Sequence, residues 1–371
     1  MNYTIKKVKI NNFQCIKDIT IDNLNKSKWI FLLGDNSNGK TAFLQALTIG
    51  VCGIKNAGHL LEEQNSCQIT VTLSIHGRNQ KNVIKRIPKE NTWSSVDRPD
   101  YFCSYGPSRL QMQDINLDHF LIDPDRSLLN QQGSLLNIED WIRRQKLREE
   151  SNTLARIRYK NVIKLFERLL PNVSQIVLED DQIFYIENGY KATIHQIGSG
   201  NKTILSMVGD IVIRLFEMQP KETEPQNLNG IVVIDELDLH LHPVNQRYLP
   251  EILSDLFPNI QFICSTHSPI PLLGAPKNSI FFVVERDRQK SITTIRDYEI
   301  DISNLQPNTL LTSPLFGMES IRSVQNSIFA EFRTENDYRE YLHRKKRDES
   351  LKQYAQKGIH LPKELMDKIY D

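Results

Sequence analysis

The stretch Gly34-Asp35-Asn36-Ser37-Asn38-Gly39-Lys40-Thr41 constrains this chain more than any other, because it fits the G-x-x-x-x-G-K-[ST] pattern of a phosphate-cradling loop. Its flanks agree with that reading. Trp29–Leu33 is an apolar run of strand length, and Ala42–Ile49 carries the helix formers Ala42, Leu44, Ala46 and Leu47. Gly34 and Gly39 let the backbone turn tightly, so that successive amides and the helix N-terminus converge on a β-phosphate. Asp35, Asn36, Ser37, Asn38 and Ala42 complete the nucleotide-binding backbone. Lys40 is placed to reach the β- and γ-phosphates and the Thr41 hydroxyl to ligate Mg²⁺. A chain with this loop in this context is expected to bind a nucleoside triphosphate.

Such a loop needs an acidic partner. Gly230–His242 reads GIVVIDELDLHLH, and Ile231–Ile234 is the continuous apolar run of a strand buried on both faces. It ends in Asp235-Glu236. The first carboxylate suits the Mg²⁺ shell, and the second suits orientation or deprotonation of an attacking water. Gln261–Cys264 is the next buried strand, followed by Ser265-Thr266-His267-Ser268. A histidine there can sense a terminal phosphate by hydrogen bonding.

Other segments are less specific. Tyr101–Arg109 reads as a strand with a turn at Gly106-Pro107, leaving Arg109 and Gln111 just past its carboxyl end, where ligands bind in open α/β sheets. Gly198-Ser199-Gly200 reads as a turn before a helix over Thr203–Phe216, and helix N-termini attract anions. Ile138–Asn152 and Thr153–Leu170 read as helices bearing nine basic residues from Arg143 to Arg168, either a solvated face or a nucleic-acid surface. Gln68–Ile75 alternates strictly, the mark of a half-buried strand.

Composition narrows the class. The 371 residues carry a formal net charge of +1, so a nucleic-acid case can come only from local patches. The five cysteines form no C-x-x-C pair and read as reduced thiols of a cytoplasmic protein. No apolar run reaches the ~20 residues of a membrane span, and the first residues are too polar for a secretory signal.

Taken in order, I-x-N-F near the N-terminus, GDNSNGKT, SYGPSR, IDELDLHLHP and STHSP resemble the blocks of ABC-type ATPases of the RecF/SMC-like group, which includes the ATPase halves of OLD-family nucleases. The resemblance covers roughly residues 1 to 316. It implies an α/β fold: a P-loop NTPase sheet with an antiparallel N-terminal β-subdomain, a helical insertion and a helical C-terminal tail. The implied boundaries are 1–113 for the first half of the head, 114–175 for the insertion, 176–316 for the second half and 317–371 for the tail.

The resemblance also implies ATP and Mg²⁺ as cofactors, held by Lys40, Thr41 and Asp235. It makes Glu236 the general base, His267 the switch residue and Asp238 part of the D-loop, with Arg109 or Gln111 near the Q-loop. Heads of this group sandwich ATP between two copies, one supplying a signature loop. Here Gly198, Ser199 and Gly200 occupy that place with the serine displaced by one position, which implies slow or regulated hydrolysis. No D-x-D pair follows Glu285 as a TOPRIM nuclease would require. The chain is therefore more similar to the stand-alone ATPase subunits of bacterial anti-phage systems such as Septu, whose partner is a separate HNH-type nuclease. Three roles follow as expectations. One is a dimerising ATPase that controls a nuclease, with the tail as docking segment. The second is a repair ATPase that binds DNA directly, and the third a nucleotide-gated scaffold with negligible hydrolysis.

Overall fold

Two periodicities in the sequence build two sheets. The computed structural model describes residues 3–61, 66–87, 92–94, 96, 100–107, 112–113, 125–130, 135–287, 289–290, 292–298, 307–316, 318 and 346–347. The chain divides into two compact units, Met1–Glu319 and Ser320–Asp371. Nearly all of the second, the expected tail, lies outside the described residues, as do Arg109 and Gln111.

In chain order the first unit opens with β1 (Tyr3–Phe13), β2 (Ile16–Ile21) and β3 (Trp29–Leu33), followed by α1 (Lys40–Cys52). Next come β4 (Gln68–Ile75), β5 (Arg78–Ile87), β6 (Thr92–Trp93), β7 (Phe102–Tyr105), β8 (Met112–Gln113) and β9 (Leu135–Leu136). Two helices, α2 (Ile138–Leu147) and α3 (Thr153–Leu169), precede a hairpin sheet of β10 (Val173–Glu179), β11 (Gln182–Glu187) and β12 (Tyr190–Ala192). The last third holds α4 (Ser199–Met218), β13 (Gly230–Ile234), α5 (Pro243–Leu256), β14 (Ile260–Thr266), β15 (Ile280–Asp287) and β16 (Ile292–Tyr298).

The alternating strands form an antiparallel sheet in the order β2-β1-β4-β5-β6. The continuous apolar runs form the central sheet, β16-β15-β3-β14-β13-β7, parallel except for β16 at its edge. All residues of β3, β13 and β14 are buried, as a parallel sheet covered on both faces requires. Successive residues feed two separate apolar layers. Trp29, Phe31 and Leu33 join Val232, Ile234, Phe262 and the helical layer, while Ile30 and Leu32 join Ile231, Val233, α1 and the N-terminal sheet. Trp29 stacks on Phe262 with ring centroids 4.5 Å apart, and each such buried ring contributes about 2–3 kcal/mol.

Helices α2 and α3 share the first apolar layer through Trp141, Ile142, Val162 and Phe166. Their basic residues are not one free surface. Arg158 is 8% exposed and donates to the carbonyls of Phe216, Gln219 and Glu222 at the end of α4. Arg143 pairs with Asp140, and Lys146 with Glu149.

Helix α4 departs from the sequence expectation. It starts at Ser199 with Gly198 as its N-cap, rather than at Thr203. Asn201 explains the earlier start. Its side chain is buried and donates to the Pro171 carbonyl at 3.1 Å and to Glu187 Oε1 at 2.6 Å, fixing the first turn against β11. Deeper in α4, Asp210 accepts from the Tyr105 hydroxyl (2.7 Å), the Leu136 amide (2.8 Å) and Arg214 Nε (2.6 Å), which ties the helix to β7.

Candidate active site

The carboxyl ends of β3, β13 and β14 bring the motifs together. β14 lies between the other two, so the loops that follow these strands open at one end of the sheet. The turn after β3 is the phosphate loop. Gly34 has φ 140° and Gly39 φ 104°, and a Cβ on Gly34 would lie 2.3 Å from the Val284 carbonyl oxygen. Only glycine fits there. Ser37 also adopts a left-handed φ of 70°, completing the tight curl that aims amides inward.

Lys40 Nζ donates to the Gly34 and Asp35 carbonyls at 2.6 and 2.9 Å, lying across the mouth of the loop. Burial lowers its pKa, opposed by the carboxylates of Asp235, Glu236, Asp35 and Asp238.

The Thr41 hydroxyl donates to Asp235 Oδ2 at 2.7 Å. Asp235 is 1% exposed, and its other oxygen accepts from Ser265 Oγ. This hard-oxygen pair at an anion-binding loop fits Mg²⁺, which takes few protein ligands and fills its remaining positions with phosphate oxygens and water. Among the described residues no group of three or more His, Cys, Asp or Glu could hold a metal ion. Thr41 and Asp235 are the residues that would hold Mg²⁺.

Glu236 follows directly with φ 52°, a left-handed conformation that costs a non-glycine residue about 1–3 kcal/mol and clusters at functional sites. Its amide donates to Ser265 Oγ at 2.8 Å, and the Leu237 amide donates to the Ser265 carbonyl at 2.9 Å. Ser265 thus fixes the Asp235 carboxylate and the Glu236 backbone. Sequence reading gave it no role, although its place in the STHSP block was visible.

Asp238 is buried and receives the Thr266 hydroxyl. Its Oδ2 lies 3.3 Å from His267 Nδ1, with the histidine side chain 47% exposed and the aspartate 3%. Asp238 therefore orients His267 while the rest of the ring stays available. His267 also lines a cleft of about 160 Å³ with Gly34, Asp35, Asn38, Glu285 and Phe316, which puts it beside the phosphate loop. Ser199 and Gly200 open α4, and a Cβ on Gly200 would lie 3.2 Å from Asn245 Nδ2 of α5. Thr41, Asp235 and the Glu236 backbone are linked through Ser265, Asp238 pairs with His267, and Lys40 and His267 both lie beside Gly34 and Asp35.

The arrangement is an ABC-ATPase head. Residues 30–272 match the family described as "AAA domain, putative AbiEii toxin, Type IV TA system", and the chain belongs to that family. It is 27% identical over 349 residues to Septu protein PtuA of Bacillus mycoides (strain KBAB4), covering 88% of this chain and 46% of that protein. It is 37% identical over 163 residues to "Retron Vc95 probable ATPase" of Vibrio cholerae serotype O1 biovar El Tor, covering 43% of this chain and 30% of that one. The chain thus spans less than half the length of these relatives. Its fold is similar to that of an SMC head crystallised with the C-winged helix domain of ScpA, with TM-score 0.50 and 13% identity, covering 80% of this chain and 98% of that one.

Proposed function

We propose that this chain is a Mg²⁺-dependent ATPase subunit that controls an effector in anti-phage defence. The observation that carries the reading is the bond between Thr41 and Asp235, which closes the phosphate loop onto the acidic strand. Thr41 and Asp235 would hold Mg²⁺, which when bound would neutralise charge on the β- and γ-phosphates. The loop amides and Lys40 hold the phosphates. Glu236, set in its strained backbone by Ser265, orients the attacking water and accepts its proton. His267, held by Asp238, hydrogen-bonds the terminal phosphate.

The N-terminus of α4 at Ser199 and Gly200 offers amides to a nucleotide held by a second copy, so ATP is expected to join two heads into a homodimer or a higher multiple. Similarity to Septu and retron ATPases supports the defence role. A separate nuclease subunit of HNH type is the proposed effector, docked through residues 317–371. The purified chain should release phosphate from MgATP, and deletion of 320–371 should abolish co-purification with the co-expressed nuclease while ATP binding persists. Absence of both ATP binding and hydrolysis sinks the enzymatic reading, and unchanged co-purification removes the docking role of the tail.

A further inference from the structure

A phosphate loop binds an anion only when its amides face inward, and this turns its carbonyls outward. Outward carbonyls in a partly buried loop require donors. Lys40 serves Gly34 and Asp35 from the mouth of the loop instead. Two more donors come from outside the motif. Thr293 Oγ1 donates to the Asn38 carbonyl at 2.9 Å, and Arg286 Nη1 to the Ser37 carbonyl at 3.3 Å. Both belong to the β15–β16 hairpin, and Asn38 answers it by donating from Nδ2 to the Val284 carbonyl at 3.0 Å.

Thr293 is 1% exposed although β16 is the edge strand of its sheet. Its amide donates to the Cys15 carbonyl at 3.1 Å, so it joins the β1–β2 turn to the phosphate loop. A Cβ on Gly39 would lie 2.7 Å from Thr293 Oγ1 and 2.9 Å from Cys15 Sγ. The hydroxyl is pressed directly against the loop. Any rotation that turned the Asn38 carbonyl inward would break its bond to Thr293 and point a negative dipole at the bound phosphates.

We propose that Thr293, supported by Arg286, is a positioning residue for phosphate recognition. It acts through the Asn38 peptide and touches no substrate. The inference rests on the nucleotide reading above. Val in its place keeps the shape and removes the donor, whereas Ser keeps the donor. In the 371-residue chain we therefore expect Thr293→Val to raise Kd and KM for MgATP about tenfold, the worth of one hydrogen bond. kcat at saturation should stay within about twofold, and Thr293→Ser should bind like the wild type.

The readout is MgATP titration calorimetry with steady-state phosphate release, plus melting temperatures recorded without nucleotide. A lowered nucleotide-free melting temperature with wild-type Kd would assign Thr293 to packing alone and overturn the proposal. Equal weakening by Val and Ser overturns it as well. Should Thr293→Val fail to fold, Arg286→Met decides: a two- to fivefold rise in Kd supports the proposal and an unchanged Kd overturns it. Failure of the wild type itself to bind MgATP overturns the nucleotide reading instead.

Discussion

The Thr41 hydroxyl and Asp235 carboxylate meet at 2.7 Å across 194 positions of sequence. One ends the phosphate loop and the other ends the acidic strand, with β14 between their strands. Ser265, at the end of that intervening strand, bonds Asp235 and the Glu236 amide. A single serine thereby sets the Asp235 carboxylate and the Glu236 backbone in one frame.

Replacing Asp235 by Asn removes the charge and keeps the shape. Hydrolysis should fall at least a hundredfold, because the Mg²⁺ shell loses its carboxylate. Asn accepts at one oxygen only, so one of the Thr41 and Ser265 hydroxyls must turn to accept from its Nδ2. The protein should still fold, with a modestly lowered melting temperature. Phosphate release titrated against Mg²⁺ checks this. Retained activity at ordinary Mg²⁺ would place the metal elsewhere.

Arg158→Met tests the reassignment of the basic helices. Three carbonyls at the end of α4 lose a buried donor, for a cost of about 2–4 kcal/mol in urea unfolding. Affinity for duplex DNA, if present, should not change, because this guanidinium faces the interior. A parallel loss of DNA affinity with no loss of stability would restore Arg158 to a surface role.

Much of the site was legible because its chemistry sits in contiguous residues. GDNSNGKT, the Asp235-Glu236 pair and His267 each end an apolar run, and the structure gathers those strand ends. The strand over Gln68–Ile75 also falls where its periodicity places it. What was not legible depends on backbone partners. Arg158 looked like a surface cation because carbonyl acceptors leave no mark in the sequence. Thr293 carries no mark of its contact in the sequence because its partner, Asn38, lies 255 positions away. The start of α4 was misplaced because Asn201 is anchored by a carbonyl and a glutamate from other elements.

The thiols offer a check on packing. Burial pushes Cys67 and Cys103 up to about 12, which leaves about one thiolate in 10,000 at pH 8. Cys15 is half-buried. Iodoacetamide at pH 8 should therefore alkylate Cys15 in the native protein and spare Cys67 and Cys103 until denaturant is added. Peptide mass spectrometry reads the pattern, and rapid native alkylation of Cys103 would contradict the buried core around β7.

The most direct measurement compares wild type with Glu236→Gln for MgATP binding and phosphate release, with oligomeric mass recorded in the same samples. Gln keeps the size and the backbone contact to Ser265 but cannot accept the proton. The account predicts turnover reduced about 10²- to 10⁴-fold, MgATP affinity equal to or tighter than wild type, and an ATP-stabilised dimer or larger multiple. Equal hydrolysis in both proteins would remove Glu236 as the base, and tight binding with no hydrolysis in either would make this chain a nucleotide-gated scaffold.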